Sequence, residues 1–142
     1  MDEASAGFRL SPTTADVAIE TWGPDAEDIF REAIRGLFSV MCDPGTVEPR
    51  RSIPCRVSGE NAEDLFFRWL NEAIYLHEIH GFLACDVRIS RWTNTRVEGL
   101  LIGEAVDPER HALGLEVKAA TLHRLKVARE PGGWRAYVIV DV

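Results

Sequence analysis

The sequence predicts an α+β fold, a two-layer sandwich of two amphipathic helices packed on a mostly antiparallel or mixed β-sheet. Two stretches, residues 29–41 and 65–74, repeat apolar side chains at helical spacing. Most of the remaining apolar positions alternate with a period of two, as half-buried strands do. The later strands follow one another through short turns, which favours antiparallel neighbours. Helices laid on one face of the sheet would bury both apolar stripes at once.

The elements follow in chain order. Asp16 to Trp22 alternates, with Val17 and Ile19 on one side and Ala18 and Glu20 on the other, and reads as a strand. Gly23-Pro24-Asp25 breaks it. Asp25 caps a helix, with Asp28 at the capping-box position. Ile29, Phe30, Ala33, Ile34, Leu37, Phe38 and Met41 form its buried stripe, and Asp43-Pro44-Gly45 ends it. Arg51 to Ser58 alternates through Ile53, Cys55 and Val57. Pro54 has no N–H to give a ladder, so this strand belongs at a sheet edge or starts there. Asn61 caps the second helix, which buries Leu65, Phe66, Trp69, Leu70, Ala73 and Ile74 and ends near His77 and His80.

The remainder reads as strands. Leu83, Cys85, Val87 and Ile89 alternate up to a turn at Thr93-Asn94-Thr95. Val97 to Val106 is a strand whose Gly99 and Gly103 suit a bulge or a close approach. A polar loop runs from Asp107 to Gly114. Glu116 to Val127 reads as two strands or one bent strand, and Pro131-Gly132-Gly133 as a hairpin turn. Trp134 to Asp141 is the last strand, with Trp134, Ala136, Val138 and Val140 on one face. The whole is one domain, residues 1–142, with residues 1–7 expected to be disordered.

The bulk numbers narrow the function. The 142 residues carry a formal net charge of -7. Nucleic-acid binding leaves a basic patch or stripe. Arg50 and Arg51, and the group Arg88, Arg91 and Arg96, form no continuous stripe, so direct nucleic-acid binding is not expected. Cys42, Cys55 and Cys85 are odd in number and form no paired motif, which suits free thiols over a disulfide framework or zinc knuckle. The start, MDEASAG, is acidic where a secretory signal is basic. No apolar run is long enough for a bilayer, so no membrane association is expected and a cytoplasmic location follows.

No phosphate-binding glycine loop, zinc-protease motif or nucleophile elbow occurs. His77 and His80 sit three apart with Glu78 between them, and helix-end surface histidines explain them better than a zinc site. The acidic residues at strand ends say more. Asp16 opens the first strand and Asp141 closes the last, beside Val142 and its chain-terminal carboxylate. Clustered carboxylate oxygens suit hard cations, whereas apart they are two solvated strand ends. Glu116 and Lys118 would share a strand face with Val117 on the other, as a surface ion pair or as a cation turned toward an anionic partner.

A set of segments carries a family resemblance. They are Thr14-Ala15-Asp16-Val17 with Ala18 to Gly23, Arg68-Trp69-Leu70-Asn71-Glu72, and Asp107-Pro108-Glu109-Arg110-His111. Further along come Leu113-Gly114-Leu115-Glu116-Val117-Lys118-Ala119, Leu125-Lys126-Val127 and the closing Val140-Asp141-Val142. In this order, spanning nearly the whole chain, they resemble archease. The resemblance implies a non-enzymatic activator of an RtcB-type RNA ligase, which promotes the ligase's guanylylation and multiple turnover in tRNA splicing and RNA repair. It implies a bound divalent cation, calcium foremost with magnesium or manganese as alternatives, held by Asp16, Asp141 and the main-chain oxygens of Val142. It also implies roles in activation or partner contact for Lys118, Glu116 and His111. One departure stands out: Thr13 occupies the place where family members commonly carry a histidine. The rival readings are a metal-dependent phosphoester enzyme using the same carboxylates, and a chaperone-like or RNA-binding module.

Overall fold

The computed structural model describes residues 5–142. In chain order they form β1 (Gly7–Pro12), β2 (Asp16–Gly23), α1 (Ala26–Met41), a 3-10 turn (Pro44–Thr46) and β3 (Arg51–Ser58). There follow α2 (Ala62–His80), β4 (Phe82–Thr93), β5 (Arg96–Ala105), β6 (Ala119–Ala120), β7 (Lys126–Glu130) and β8 (Gly133–Asp141). Of the expected disordered start, residues 1–4 lie outside the described residues, and Gly7 opens β1.

The helix boundaries follow from local chemistry. Asp28 Oδ2 accepts from the Asp25 backbone N–H at 2.8 Å, satisfying a donor at the start of α1. Asn61 Oδ1 accepts from the Asp64 N–H at 2.9 Å and caps α2. His77 and His80 fall in the last turn of α2, which stops at Gly81. The apolar stripe of α1 is sealed, with Ile29, Phe30, Ala33, Ile34, Leu37 and Phe38 all at zero exposure.

The α+β class holds, with two helices packed on antiparallel strands. The strands divide into two sheets where one was expected. In the first, β1, β2 and β8 run in order, and the far side of β8 is shared by β6 and β7. In the second, β5 is central between β3 and β4. Alternation reports which face of a strand is buried, not which strand lies beside it, so this division was not readable. Pro54 sits on β3, an edge strand as its missing N–H requires. The stretch expected as strand at 116–127 pairs only at β6 and at the start of β7. Between them Arg124 takes a positive φ of 58°, which breaks the extended run.

Both glycines of β5 have a physical reason. A Cβ on Gly103 would lie 1.8 Å from the Leu83 carbonyl oxygen, and one on Gly99 would lie 2.7 Å from that of Arg88. Their partners Ala84 and Ile89 flank the two register shifts of β4, so the glycines admit the backbone where β4 bulges.

α1 lies against β2 of the first sheet and β4 of the second, so one helix joins both sheets. Aromatic side chains continue the joint. Trp92 of β4 meets Phe30 of α1 at 5.7 Å and Trp134 of β8 at 6.0 Å between ring centroids. Trp69 of α2 donates its indole N–H to the Phe30 carbonyl at 2.9 Å. Among the described residues no helix is long and apolar enough to cross a membrane.

Candidate metal and partner site

The antiparallel ladder of β2 and β8 pairs eight residues in unbroken register, from Gly23 opposite Trp134 to Asp16 opposite Asp141. Val17, Ile19 and Thr21 of β2 and Ala136, Val138 and Val140 of β8 are buried. By the period of two, Asp16 and Asp141 therefore project from the opposite, outer face as direct cross-strand neighbours. The two strand-end carboxylates read from sequence are thus brought together, although 124 positions separate them in the chain.

Three neighbouring segments complete this end of the sheet. The Thr13 hydroxyl donates to Asp16 Oδ1 at 2.6 Å, and the Thr13 N–H donates to the Asp16 carbonyl at 2.8 Å, closing the β1–β2 turn. The Lys118 N–H donates to the Asp141 carbonyl at 2.8 Å, and Ala119 pairs with Asp141 across β6. The Val142 N–H donates to the Ala15 carbonyl at 3.4 Å. Lys118 therefore lies one residue from the pairing partner of Asp141, with its side chain exposed. Neither Asp16 nor Asp141 enters a salt bridge among those formed by the described residues, so two like charges face each other without a protein cation between them.

The donors that the register sets side by side are two carboxylates, oxygen only. That set suits a hard divalent cation and is wrong for zinc in a structural site. Among the described residues no three side chains of His, Cys, Asp or Glu gather as a metal cluster, so main-chain oxygens or water must supply the remaining ligands of any ion held here.

Glu116 and Lys118 lie just before β6, outside any strand. The expected alternation still holds, since Val117 is buried while Glu116 and Lys118 are exposed. They form no ion pair with each other among the salt bridges of the described residues, and Lys118 is exposed. His77 is tied to its own helix end, with Nδ1–H donating to the Phe82 carbonyl at 2.8 Å, and takes no part in the acidic end.

His111, for which the resemblance implied a role in activation or partner contact, sits inside the fold. Its side chain is buried, and Nδ1 accepts from the Asp107 N–H at 2.9 Å. Nε2 must then carry the proton, and it donates to Glu104 Oε2 at 2.8 Å. Glu104 also accepts from the Glu48 N–H at 2.8 Å and pairs with Arg50 and Arg110. The Arg110 and His111 hydrogen bonds hold its carboxyl down at about 2. This buried cluster went unseen in the sequence. Alternation along β5 turns Leu101 and Gly103 to the core and Glu104 to the other face, where Arg50 and the loop of Arg110 and His111 close over it.

The comparisons with known proteins agree over the same span. Residues 8–142 match the profile of the Archease protein family (MTH1598/TM1083). The chain belongs to the archease family. An archease of Methanopyrus kandleri is 37% identical over 132 residues, 91% of this chain and 94% of that one. Protein 1598 of Methanobacterium thermoautotrophicum superposes with a TM-score of 0.78 at 30% identity, covering 96% of this chain and 99% of that one. A Thermotoga maritima structure, titled an archease and possible chaperone, gives 0.64 at 28% identity over 93% and 96% of the two chains. Archease membership extends to the acidic end: Asp16, Lys118, Asp141 and Val142 all fall inside the matched span.

Proposed function

We propose that this archease-family chain is a cytoplasmic, non-enzymatic activator of an RtcB-type RNA ligase, promoting its guanylylation and turnover in tRNA splicing and RNA repair. The observation that carries the reading is the register of Asp16 against Asp141 at the end of an archease fold. Two like charges set directly opposite, one half-buried and one exposed, cost stability unless something binds between them. Asp16, Asp141 and the main-chain oxygens of Val142 would hold a divalent cation, calcium first, with magnesium or manganese as alternatives. Such an ion, when bound, supplies positive charge that offsets the carboxylate pair.

The chain's own residues do the rest. The Thr13 hydroxyl fixes the Asp16 carboxylate. The Lys118 main chain fixes the Asp141 backbone and sets the Lys118 side chain beside the acidic end, available to an anionic group of the ligase or its nucleotide. Glu116 extends the acidic surface toward a basic partner. The loop that carries these residues is braced from inside by the His111–Glu104 hydrogen bond, which makes His111 a positioning residue.

The test is the guanylylation rate of the cognate ligase with GTP, alone and with wild type, Asp16→Ala or Asp141→Ala, each shown to be folded. Stimulation by wild type, lost in both variants, is the expected result. Stimulation that survives both substitutions would remove the carboxylates from the account. No stimulation by wild type would overturn the activator reading itself.

A further inference from the structure

A groove of about 400 Å³, with neither Asp16 nor Asp141 in its lining, lies between the C-terminal end of α2 and the segment leading to β6. Met41, Leu83 and Val106 contribute to its floor. Leu113 and Leu115 wall it and are 50% and 52% exposed, a large apolar exposure for two residues so close in the chain. Glu78 and Glu116, both exposed, stand on its rim, and no lysine or arginine lines it.

The backbone holds the two leucines out. The Gly114 N–H donates to the Met41 carbonyl at 2.8 Å and the Leu115 N–H to the Val40 carbonyl at 2.9 Å. Cys42 and Leu113 form an antiparallel bridge. A Cβ on Gly114 would lie 2.6 Å from the Val40 oxygen, so this close approach requires glycine. The leucines on either side are pinned to the end of α1 and do not collapse into the core. An ordered apolar wall of this kind meets a binding partner without first losing backbone freedom.

We propose that this groove docks a segment of a partner protein that presents an aliphatic or aromatic side chain flanked by lysine or arginine. The apolar floor and leucine walls take the anchor side chain, and Glu78 and Glu116 take the flanking cations. Charge complementarity selects this occupant over an acidic or uncharged segment, because the rim is acidic and the whole chain carries a net charge of -7. The inference does not depend on the cation reading of Asp16 and Asp141.

The experiment is a methyl-detected NMR titration of the full chain, at physiological salt, with a synthetic peptide of alternating leucine and lysine. Leucine–glutamate and serine–lysine peptides of equal length are the controls. The leucine–lysine peptide is expected to shift the methyls of Met41, Leu83, Val106, Leu113 and Leu115. Its affinity should fall roughly tenfold or more in the folded double variant Leu113→Ser/Leu115→Ser. It should fall as well in Glu78→Lys/Glu116→Lys, which should gain binding of the leucine–glutamate peptide, while Asp16→Asn leaves it unchanged. An equal response to the serine–lysine peptide, shifts on other faces, or no shift at millimolar peptide would overturn the proposal. Concentration-dependent shifts of the same methyls without peptide would also overturn it, by making a second copy of the chain the occupant.

Discussion

His111 Nε2 donates to Glu104 Oε2 across 2.8 Å, and both side chains are buried. With Nδ1 already accepting from Asp107, the imidazole is neutral and all its hydrogen-bonding capacity is used. His111→Ala is expected to destabilise the fold by about 2 kcal/mol, since it leaves a buried carboxylate oxygen and a main-chain N–H short of partners. Urea denaturation at neutral pH measures this.

The same cluster sets an acid limb. The Glu104 carboxyl is held at about 2, below the 4.5 of a free glutamate. A depressed carboxyl contributes stability that is fully present above the unfolded value and is lost as pH falls through the folded one. Wild type should therefore lose stability between about pH 4.5 and pH 2. Glu104→Gln should lose less over that interval while starting lower at neutral pH. Urea midpoints taken stepwise from pH 7 to pH 2 compare the two.

Glu32 behaves in the opposite sense. It is buried on α1, and burial raises its carboxyl above the ordinary value, with Arg35 and Arg31 pulling it partly back. Its Arg35 partner is at 3.4 Å, a long contact for a buried carboxylate. Here the folded state binds the proton more tightly than the unfolded one. The contribution is present below the ordinary glutamate value and is lost as pH rises through the folded value. Glu32→Gln should raise the urea midpoint at pH 7 and have little effect at pH 4.

Thr21 offers a stabilising change. It is fully buried on β2, and its hydroxyl has no hydrogen-bond partner among the described residues. Thr21→Val keeps the shape, removes the unpaired polar atom and suits a strand. A gain of about 1 kcal/mol is expected, read as a rise in the thermal midpoint.

The facing carboxylates predict a sign reversal. In a chelating buffer Asp141→Asn should stabilise the protein by roughly 0.5 kcal/mol, because like charges directly opposite destabilise a strand pair. With saturating calcium the order should invert, since only wild type gains binding free energy in the folded state. Thermal midpoints of both proteins, with chelator and with calcium, give the answer. Stabilisation of Asp141→Asn in both buffers would remove the cation from the site.

Features set by neighbouring residues were legible in the sequence. Asp25 and Asn61 mark both helix starts, and Pro54 marks an edge strand, because a cap or a missing N–H acts within a few positions. Features set by distant pairing were not. Phe8 and Leu10 alternate in β1, but a six-residue strand ending at Pro12 carries a weak signal until β2 lies beside it. No residue near Glu104 in the chain marks it for burial, because what covers it is Arg50 together with Arg110 and His111 of the loop after β5. The acidic end was half legible. Asp16 and Asp141 show as charges at strand ends, while their confrontation depends on a register that eight successive pairs must agree on.

That register makes the acidic end a product of completed folding. A slip of one residue between β2 and β8 would turn one set of side chains over, placing charge against the core and valine against solvent. The chain cannot carry the carboxylate pair in a loosened or half-assembled form. During synthesis β1 and β2 emerge early and can form their hairpin, while Asp16 waits for β8, more than a hundred residues later. A newly made molecule therefore has no acidic end until its fold is closed, and whatever depends on that end responds only to fully folded copies.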